Sequence, residues 1–505
     1  MINIYNINID KYKQSAINAI NSGWISNHGE YIQKTTEIIK QILNVKYCIL
    51  MANGTCATHC LFLSLKFKYP HISNIYVPNN CYIAVYNCAL MAYNQINVLK
   101  IDIDTWNLNT DTDYILSLKQ NSAIVIVHNL GNIVNINIIK KIRPDIILIE
   151  DNCEGLFGKY ENMYTGTNPQ TLCSSISFYG NKIISSGEGG AFLTNDDDVY
   201  THINSVYSQG MSPIKYIHNV HAYNYRMTNI EAAFLYDQLN DITNIVDNKK
   251  RIFNNYISLL TPLIKNNRVK IFKQDDNTES AVWIFSLRII NNTNIETTVK
   301  WFNQNNIDIR PFFYPIHKHA HLRNIECNDM TSTLLNNEII MIPSSPNITL
   351  MDQNKVIDAI YSYILLINNI GVAIIDIFNI ELLDEFIKNI DSQYFTYYNN
   401  RESKYTSTHK LTLLFYDTTT NEYFGYSHIN NDNWFGIYLN QNYKNKKLGG
   451  LLLNYTIQHG RINEIYLSVN MNNTHAIKLY TNNDFITYKS CDKNHYMKRI
   501  IHQIC

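Results

Sequence analysis

The chain has 505 residues, which excludes a single ordinary core and implies two or three domains. Lys plus Arg and Asp plus Glu both number 42, a balance that offers no field to a nucleic acid or an anionic membrane and leaves small-molecule chemistry as the default. The ten cysteines show no CxxC spacing, the first residues carry no apolar signal core, and the longest apolar runs are too short to cross a bilayer, so a soluble cytoplasmic protein with reduced thiols is expected.

Through the first half, short runs rich in Ile and Val alternate with helical patterns, at 47–52 (YCILMA), 74–78, 96–103, 122–130 and 145–152. That alternation predicts an α/β domain with a largely parallel sheet, helices on both faces and sites beyond the strand C-termini. After the first run, ANGTCATHCLFLSL (52–65) places Gly54 and Thr55 at a helix N-terminus, where free N–H groups and the helix dipole suit a phosphate. After the second, PNNCYIAVYNC offers Tyr82 as a flat aromatic partner. The run DIILIE leads into Asp151, with Glu154 close behind. SFYGNKIISSGEGG then sets Lys182 between an apolar strand and a Ser/Gly loop, with Ser177 beside it. A lysine at a buried strand end is costly unless its amine is neutralised, paired or converted.

Pyridoxal phosphate asks four things of a protein: an amine for its aldehyde, a carboxylate for its pyridine nitrogen, backbone donors for its phosphate and a flat apolar partner for its ring. Lys182, Asp151, Gly54 with Thr55, and Tyr82 answer these in turn, with Ser177 as a further phosphate donor and Glu154 near the phenolic oxygen. Each alone has an ordinary reading as a surface lysine, a solvated loop acid or a helix cap. Their joint occurrence is what points to the cofactor.

RPFFYPIHKHAHL (310–322) carries His317, His319 and His321 at alternate positions. On a strand they would share a face and could hold a metal, but no Cys or carboxylate set accompanies them. The favoured reading is a loop in which Arg310, Tyr314 and His317 touch substrate or pack, with no metal.

After about residue 365 the pattern restarts with a strand and a helix, then antiparallel strands joined by polar turns, which puts a boundary near residues 366–370. Within GIYLNQNYKNKKLGGLLLNYTIQHG (436–460), a strand, a basic turn and Gly449-Gly450 precede an apolar helix. The turn is either a pyrophosphate loop helped by Lys444, Lys446 and Lys447 or a solvated turn before a core helix. His428, in an upstream strand, is either a general base or an ordinary half-buried strand histidine.

ANGTCATHCLFL, VPNNCYIA, EDNCEGLFG, SFYGNKIISSGEGGAFLTN and HAYNYRMTNIEAA together resemble the DegT-type sugar aminotransferases, fold-type I pyridoxal-phosphate enzymes, over about residues 10–365. The wording is nearest the perosamine and viosamine synthase-like members. The resemblance implies residues 1–366 as the aminotransferase, with a large cofactor-binding part at about 10–240 and a small α+β part at 241–366. It also implies a homodimer with the cofactor at the subunit interface, glutamate as amino donor and a nucleotide-diphosphate 4-keto-6-deoxy-hexose as acceptor. Lys182 matches the Schiff-base lysine, Asp151 the pyridine-nitrogen carboxylate, and Gly54, Thr55 and Ser177 the phosphate site. Asn224 matches a residue that reaches the second subunit's cofactor phosphate. Glu154 stands where many members have Gln or His, and Cys81 where Thr is common. Lys182 also argues against the family's dehydratase branch, which has histidine there.

Residues 370–505 are similar over 370–500 to the GNAT acetyltransferases, an α+β fold. The resemblance implies acetyl-CoA bound by the loop that includes Lys444, Lys447, Leu448, Gly449 and Gly450. It makes Asn473 a CoA contact and Tyr480 the general acid. Lys447 departs from the pattern by occupying its first glycine position. The joint expectation is amination of a nucleotide-linked keto-sugar followed by N-acetylation of the new amine. The alternatives are an aminotransferase with a degenerate GNAT-like binding or dimerisation module, and a non-catalytic regulator or scaffold that binds pyridoxal phosphate.

Overall fold

The computed structural model describes the chain apart from residues 7–8, 215, 326, 328, 391–407, 445, 492 and 502–505. Its framework divides into two units, Met1–Asn254 with Ile271–Thr349, and Asn255–Lys270 with Leu350–Cys505. Among the described residues, no helix is long and apolar enough to cross a membrane.

In the first unit the apolar runs become β1 (Tyr47–Met51), β2 (Asn74–Pro78), β3 (Asn97–Leu99), β4 (Ser122–Val127) and β5 (Ile147–Asp151), joined by β6 (Thr171–Ser177) and β7 (Gly190–Thr194). They form one sheet in the order β1-β7-β6-β5-β4-β2-β3. β7 runs antiparallel to both neighbours and the remaining pairs are parallel. β4 is buried at every position, as a central parallel strand covered on both sides must be. Ala123, Val125 and Val127 face the cluster that holds Ala57, Leu61 and Leu65 of helix α1 (Gly54–Lys68), whereas Ile124 and Ile126 face Ile115 and Ile139 on the other side. The run 96–103 supplies only the short edge strand β3, because past Leu99 the chain leaves the sheet and Ile101 makes a lone bridge to Leu108.

Beyond helix α2 (Ile83–Tyr93), this unit includes the first part of helix α3 (Ile242–Lys265). A small antiparallel set pairs Ser286–Ile289 with Ile339–Met341 and the latter with Arg310–Pro311. The three histidines do not lie on a strand. They fall in and between two 3-10 turns, Ile316–Lys318 and Ala320–Leu322, so alternate spacing does not put them on one face. Pro315 begins this turn structure, and His321 Nε2 lies 2.9 Å from Asn87 Oδ1.

In the second unit, helix α4 (Leu350–Ile367) leads into β8 (Ile370–Ile374), helix α5 (Ile380–Lys388), β9 (His409–Asp417), β10 (Tyr423–Asn430) and β11 (Phe435–Leu439). Helix α6 (Gly449–Gly460), β12 (Glu464–Asn470), helix α7 (Thr474–Asn482), β13 (Ile486–Cys491) and β14 (Asn494–Ile500) follow. The strands form two antiparallel sheets, β8-β9-β10-β11 and β12-β14-β13. β11 and β12 meet at the single parallel bridge Trp434–Tyr466, where Tyr466 N donates to Asn433 O at 3.0 Å. No ladder joins them further on among the described residues, so the two sheets splay apart from that point. The segments 255–270 and 350–367 cluster here through Asn255–Gln353 (3.1 Å), Lys265–Asp484 (2.6 Å) and the Arg461–Asp358 ion pair. The small part expected at 241–366 is therefore distributed over both units.

Candidate functional site

β5 ends on Asp151, which is 5% exposed. Asp151 Oδ1 accepts from Cys153 N at 3.0 Å and Ser175 Oγ at 3.3 Å, and Ser175 Oγ lies 3.1 Å from Thr58 Oγ1 of α1. The Cys153 thiol is also in hydrogen-bonding contact with the Asp151 carboxylate. From the opposite side, Val134 N donates to His128 Nδ1 at 3.1 Å, so the proton lies on His128 Nε2, which donates to Glu150 Oε1 at 2.9 Å. These bonds fix both ends of the Glu150-Asp151 pair.

The N-terminus of α1 approaches the same point. Asn53 caps it, accepting from Cys56 N at 2.9 Å. A Cβ at Gly54 would stand 2.7 Å from Ser177 Cβ and 3.3 Å from Cys153 Sγ, so only glycine lets these groups close on the helix end. The helix end is thus packed directly against the Ser177 hydroxyl and the Cys153 thiol. Thr55 is exposed beside it.

Lys182 is not at a strand end. It lies beyond β6 in a turn where its own N–H donates to Tyr179 O at 2.8 Å, and the turn returns to β7 through the Tyr179–Gly187 bridge. The side chain is half-buried because a ring covers it: Lys182 Nζ stands 4.0 Å from the centre of the Trp283 ring. Trp283 Nε1 donates to Asn181 O at 2.8 Å. The charge of Lys182 acts on both Cys153 and Glu154.

Glu154 is 5% exposed and accepts from Leu130 N at 2.8 Å. Burial raises its carboxyl to about 7, against the opposing influence of Lys182. The folded state thus binds a proton that the unfolded chain releases near pH 4.5, and stability attached to Glu154 is lost as pH rises through 7. Denaturant titrations of wild type and Glu154→Gln should therefore diverge between pH 4.5 and 7, wild type losing about 3 kcal/mol relative to the variant. Parallel pH curves would contradict this.

Two backbone distortions frame the site. Leu130 (φ 56°) and Val282 (φ 48°) are both left-handed, at a cost of about 1–2 kcal/mol each for a residue with a Cβ. Gly131 joins their loops: its carbonyl accepts from Ala281 N at 2.9 Å and Ser280 Oγ at 3.0 Å, and a Cβ on it would stand 3.4 Å from both Glu154 O and Trp283 N. Behind Trp283, the 3%-exposed Lys249 of α3 donates to Trp283 O at 2.8 Å and Ser344 O at 2.5 Å. Burial lowers its pKa to about 7.

The other expected residues fall elsewhere. Tyr82 is 56% exposed at the start of α2, with its ring 6.0 Å from Phe313. Asn80 Nδ2 donates to Phe313 O (2.7 Å) and Ile316 N to Asn79 Oδ1 (2.8 Å), so the PNNCY and RPFFYPIH loops are stitched together. Within the second loop, Arg310 pairs with Asp308, burial raises the Tyr314 hydroxyl's pKa, and His317 is exposed. Cys81 is buried with its thiol 3.4 Å from Pro78 O. Asn224 is exposed and accepts from Arg226 Nε at 2.9 Å. Nothing in the sequence distinguished Trp283, Lys249, Leu130 or Val282. The signal for Trp283 was only a tryptophan in an otherwise aliphatic run.

In the second unit, Leu448 precedes α6 and is 8% exposed, while Lys444, Lys446 and Lys447 are exposed. Lys447 keeps the left-handed conformation a glycine would take (φ 57°), and its carbonyl accepts from Arg268 at 2.8 Å. Gly449 packs against Leu479, and a Cβ on Gly450 would collide with Asn266. Asn473 Oδ1 caps α7 by accepting from Ala476 N at 3.1 Å. The Tyr480 ring is 8% exposed and lies 5.7 Å from that of Phe485, and its hydroxyl makes no hydrogen bond among the described residues. His428 is 1% exposed, and its ring stacks on that of His409 at 4.4 Å. Burial and His409 hold its pKa well below the usual range, which suits a packed strand histidine.

The model of the DegT/DnrJ/EryC1/StrS aminotransferase family matches residues 7–361. The chain belongs to this family. The GNAT acetyltransferase family model matches residues 375–485 downstream of the aminotransferase. GDP-perosamine synthase from Escherichia coli O157:H7 is 30% identical over 312 residues, 61% of this chain and 83% of that synthase. The synthase from Vibrio cholerae is 29% identical over 328 residues, 63% of this chain and 86% of its own length. A Brucella abortus DegT-family aminotransferase shares the fold at TM-score 0.62 and 20% identity, over 70% of this chain and 95% of its own. So does an E. coli GDP-4-keto-6-deoxy-D-mannose-3-dehydratase with bound hydrated pyridoxal phosphate, at TM-score 0.64 and 20% identity, over 71% and 99%. The cofactor of this sugar aminotransferase is pyridoxal phosphate, and the GNAT domain takes acetyl-CoA. The glycine-opened end of α1 beside Ser177, the buried Asp151 carboxylate at the end of β5 and the Lys182 amine fit the first of these groups.

Proposed function

We propose that the chain aminates a nucleotide-diphosphate 4-keto-6-deoxy-hexose with glutamate as donor, and then acetylates the new 4-amino group from acetyl-CoA. The observation that carries the first half is the convergence of the Lys182 amine, the Asp151 and Glu154 carboxyls and the Gly54 helix end. Similarity to relatives named GDP-perosamine synthase supports a nucleotide-linked sugar as the amine acceptor. Pyridoxal phosphate, when bound, supplies a sink for the electrons left at the carbon that gains or loses the amine. Lys182 Nζ would carry the proton between that carbon and the carbon that had been the cofactor's aldehyde, taking it from one and delivering it to the other. With the group bound, Asp151 would hold a proton on its ring nitrogen, Glu154 would reach its phenolic oxygen, and the amides of Gly54 and Thr55 with Ser177 Oγ would bind its phosphate. The exposed Tyr82 would cover the cofactor ring, and Arg310, Tyr314 and His317, on the loop stitched to its own by Asn79 and Asn80, would meet the sugar nucleotide. In a homodimer, the exposed Asn224 extends to the second copy's phosphate.

For the second half, we take the junction to lie near residues 366–370, a reading supported by matched spans that end at 361 and begin at 375. The splay between β11 and β12 receives the thioester arm, with the loop from Lys444 to Gly450 on the pyrophosphate, Asn473 along the arm and Tyr480 returning a proton to the leaving thiol. Because the Lys447 side chain is exposed, it adds charge without filling the loop. Lys447→Gly should weaken acetyl-CoA binding by about 2- to 5-fold at low salt and by nothing at high salt. Tighter binding by the variant would show that the side chain crowds the site.

The test is incubation with glutamate, acetyl-CoA and a panel of nucleotide 4-keto-6-deoxy sugars, read by mass. One panel member should be converted first to its amine and then to its acetamide. Tyr480→Phe should retain amination and slow acetylation by about 10²-fold. An amine that never gains the acetyl group would leave an aminotransferase with a binding module. No conversion of any member would refute the reading.

A further inference from the structure

We infer that Lys249 and Trp283 form a clamp that positions the Lys182 amine, a role that rests on Lys182 being the cofactor-bearing lysine proposed above. Among the described residues, the direct contact of the Lys182 ammonium is with Trp283, at 4.0 Å from the ring centre. Its indole is tied at one edge by the bond from Nε1 to Asn181 O, the residue immediately before Lys182. The ring therefore holds both the tip of the lysine and the backbone from which it springs.

What aims the ring is the peptide that precedes it. Val282 is β-branched and left-handed, the conformation such residues most resist. It is forced into that shape from two sides. On one, Ala281 N and Ser280 Oγ bond to Gly131 O, and Val282 N donates to Ser280 Oγ at 3.3 Å. On the other, Lys249 Nζ holds Trp283 O and Ser344 O together, while Phe285 N donates to Ser344 Oγ at 2.9 Å. Lys249 has the ring of Phe253 5.3 Å away and, among the described residues, no carboxylate partner. A buried lysine spent on two carbonyls is an expensive way to close a loop. It is explained when the loop it closes carries the ring that covers the reactive amine. Lys249 does not touch the amine, so it acts by position.

The test uses the full chain loaded with pyridoxal phosphate. Wild type is examined first: if no cofactor band forms, the assignment of Lys182 fails before the clamp is addressed. Lys249→Met, Trp283→Leu and the double variant are then compared for fold by circular dichroism, for the pH midpoint of the visible cofactor band and for the glutamate half-reaction. Exposure of tryptophan to acrylamide in the cofactor-free protein is measured alongside. Both single variants should move the midpoint in the same direction by about 0.5 pH unit or more and slow the half-reaction by about 10-fold, and the double variant should be no worse than the more impaired single. Lys249→Met should also raise quenching of tryptophan fluorescence. A folded Lys249→Met with the wild-type midpoint, or effects that multiply in the double variant, would overturn the clamp. If Lys249→Met does not fold, adding Val282→Gly should restore folding by removing the strain and permit the same readings. A chain still unfolded after that change would show that Lys249 holds the fold rather than the ring, and would also overturn the proposal.

Discussion

Lys182→Ala is expected to abolish sugar amination, with a loss of about 10³-fold or more, because it removes both the amine that carries the cofactor and the group that moves the proton. The fold should survive. The side chain's contact given by the structure is with the Trp283 ring, worth about 0.5–2 kcal/mol. A specific electrostatic consequence should accompany the loss. Lys182 opposes the upward shift of Glu154, so in the variant the Glu154 carboxyl should titrate higher still. Acetylation of a supplied 4-amino sugar should proceed as in wild type, since every residue proposed for acetyl-CoA belongs to the second unit. Mass spectrometry of single-turnover mixtures reads both reactions. Amination within 10-fold of wild type would remove Lys182 from the chemistry.

Asp151→Asn should slow the glutamate half-reaction by about 10² to 10³-fold while leaving the cofactor bound. The substitution is nearly isosteric, and an amide oxygen can still accept from Cys153 N and Ser175 Oγ, as Asp151 Oδ1 does at 3.0 and 3.3 Å. What changes is the second atom, where an NH₂ replaces a carboxylate oxygen and no longer holds a proton on the ring nitrogen. Rapid-mixing absorbance gives the rate, and equilibrium titration gives cofactor affinity. Equal losses in both would indicate a collapsed pocket instead. A rate within 3-fold of wild type would show that this carboxylate does not face the nitrogen.

The architecture of the first unit was legible because its strands advertise themselves. SAIVIV is apolar throughout, and a strand buried on both faces must be. The end of β5 at Asp151 and the helix after Asn53 were equally readable, since a strand end and an Asn-capped helix are local events. Lys182 was read as a strand-end residue but occupies the following turn, because the last strand-like residues, Phe178 and Tyr179, peel off to meet Gly189 and Gly187. Histidines at 317, 319 and 321 would share a face only on a strand; the segment instead forms two 3-10 turns, in keeping with the favoured reading of a loop. Trp283 and Lys249 were invisible for a different reason: each is ordinary in its own segment and gains meaning only through contacts distant in sequence. The left-handed Val282 and Leu130 are beyond any local rule, because propensity opposes both and tertiary hydrogen bonds decide them. At Lys447 the sequence showed a missing glycine, and the structure keeps the glycine conformation with a lysine in it.

The most direct measurement is reduction of the cofactor-loaded chain with borohydride, followed by peptide mapping. The reduced cofactor should be found on the peptide bearing Lys182 and on no other. Lys249 is the discriminating alternative, a buried amine with its pKa brought down to about 7 but tied to two carbonyls. Label on Lys249, on a surface lysine or on no residue would contradict the account.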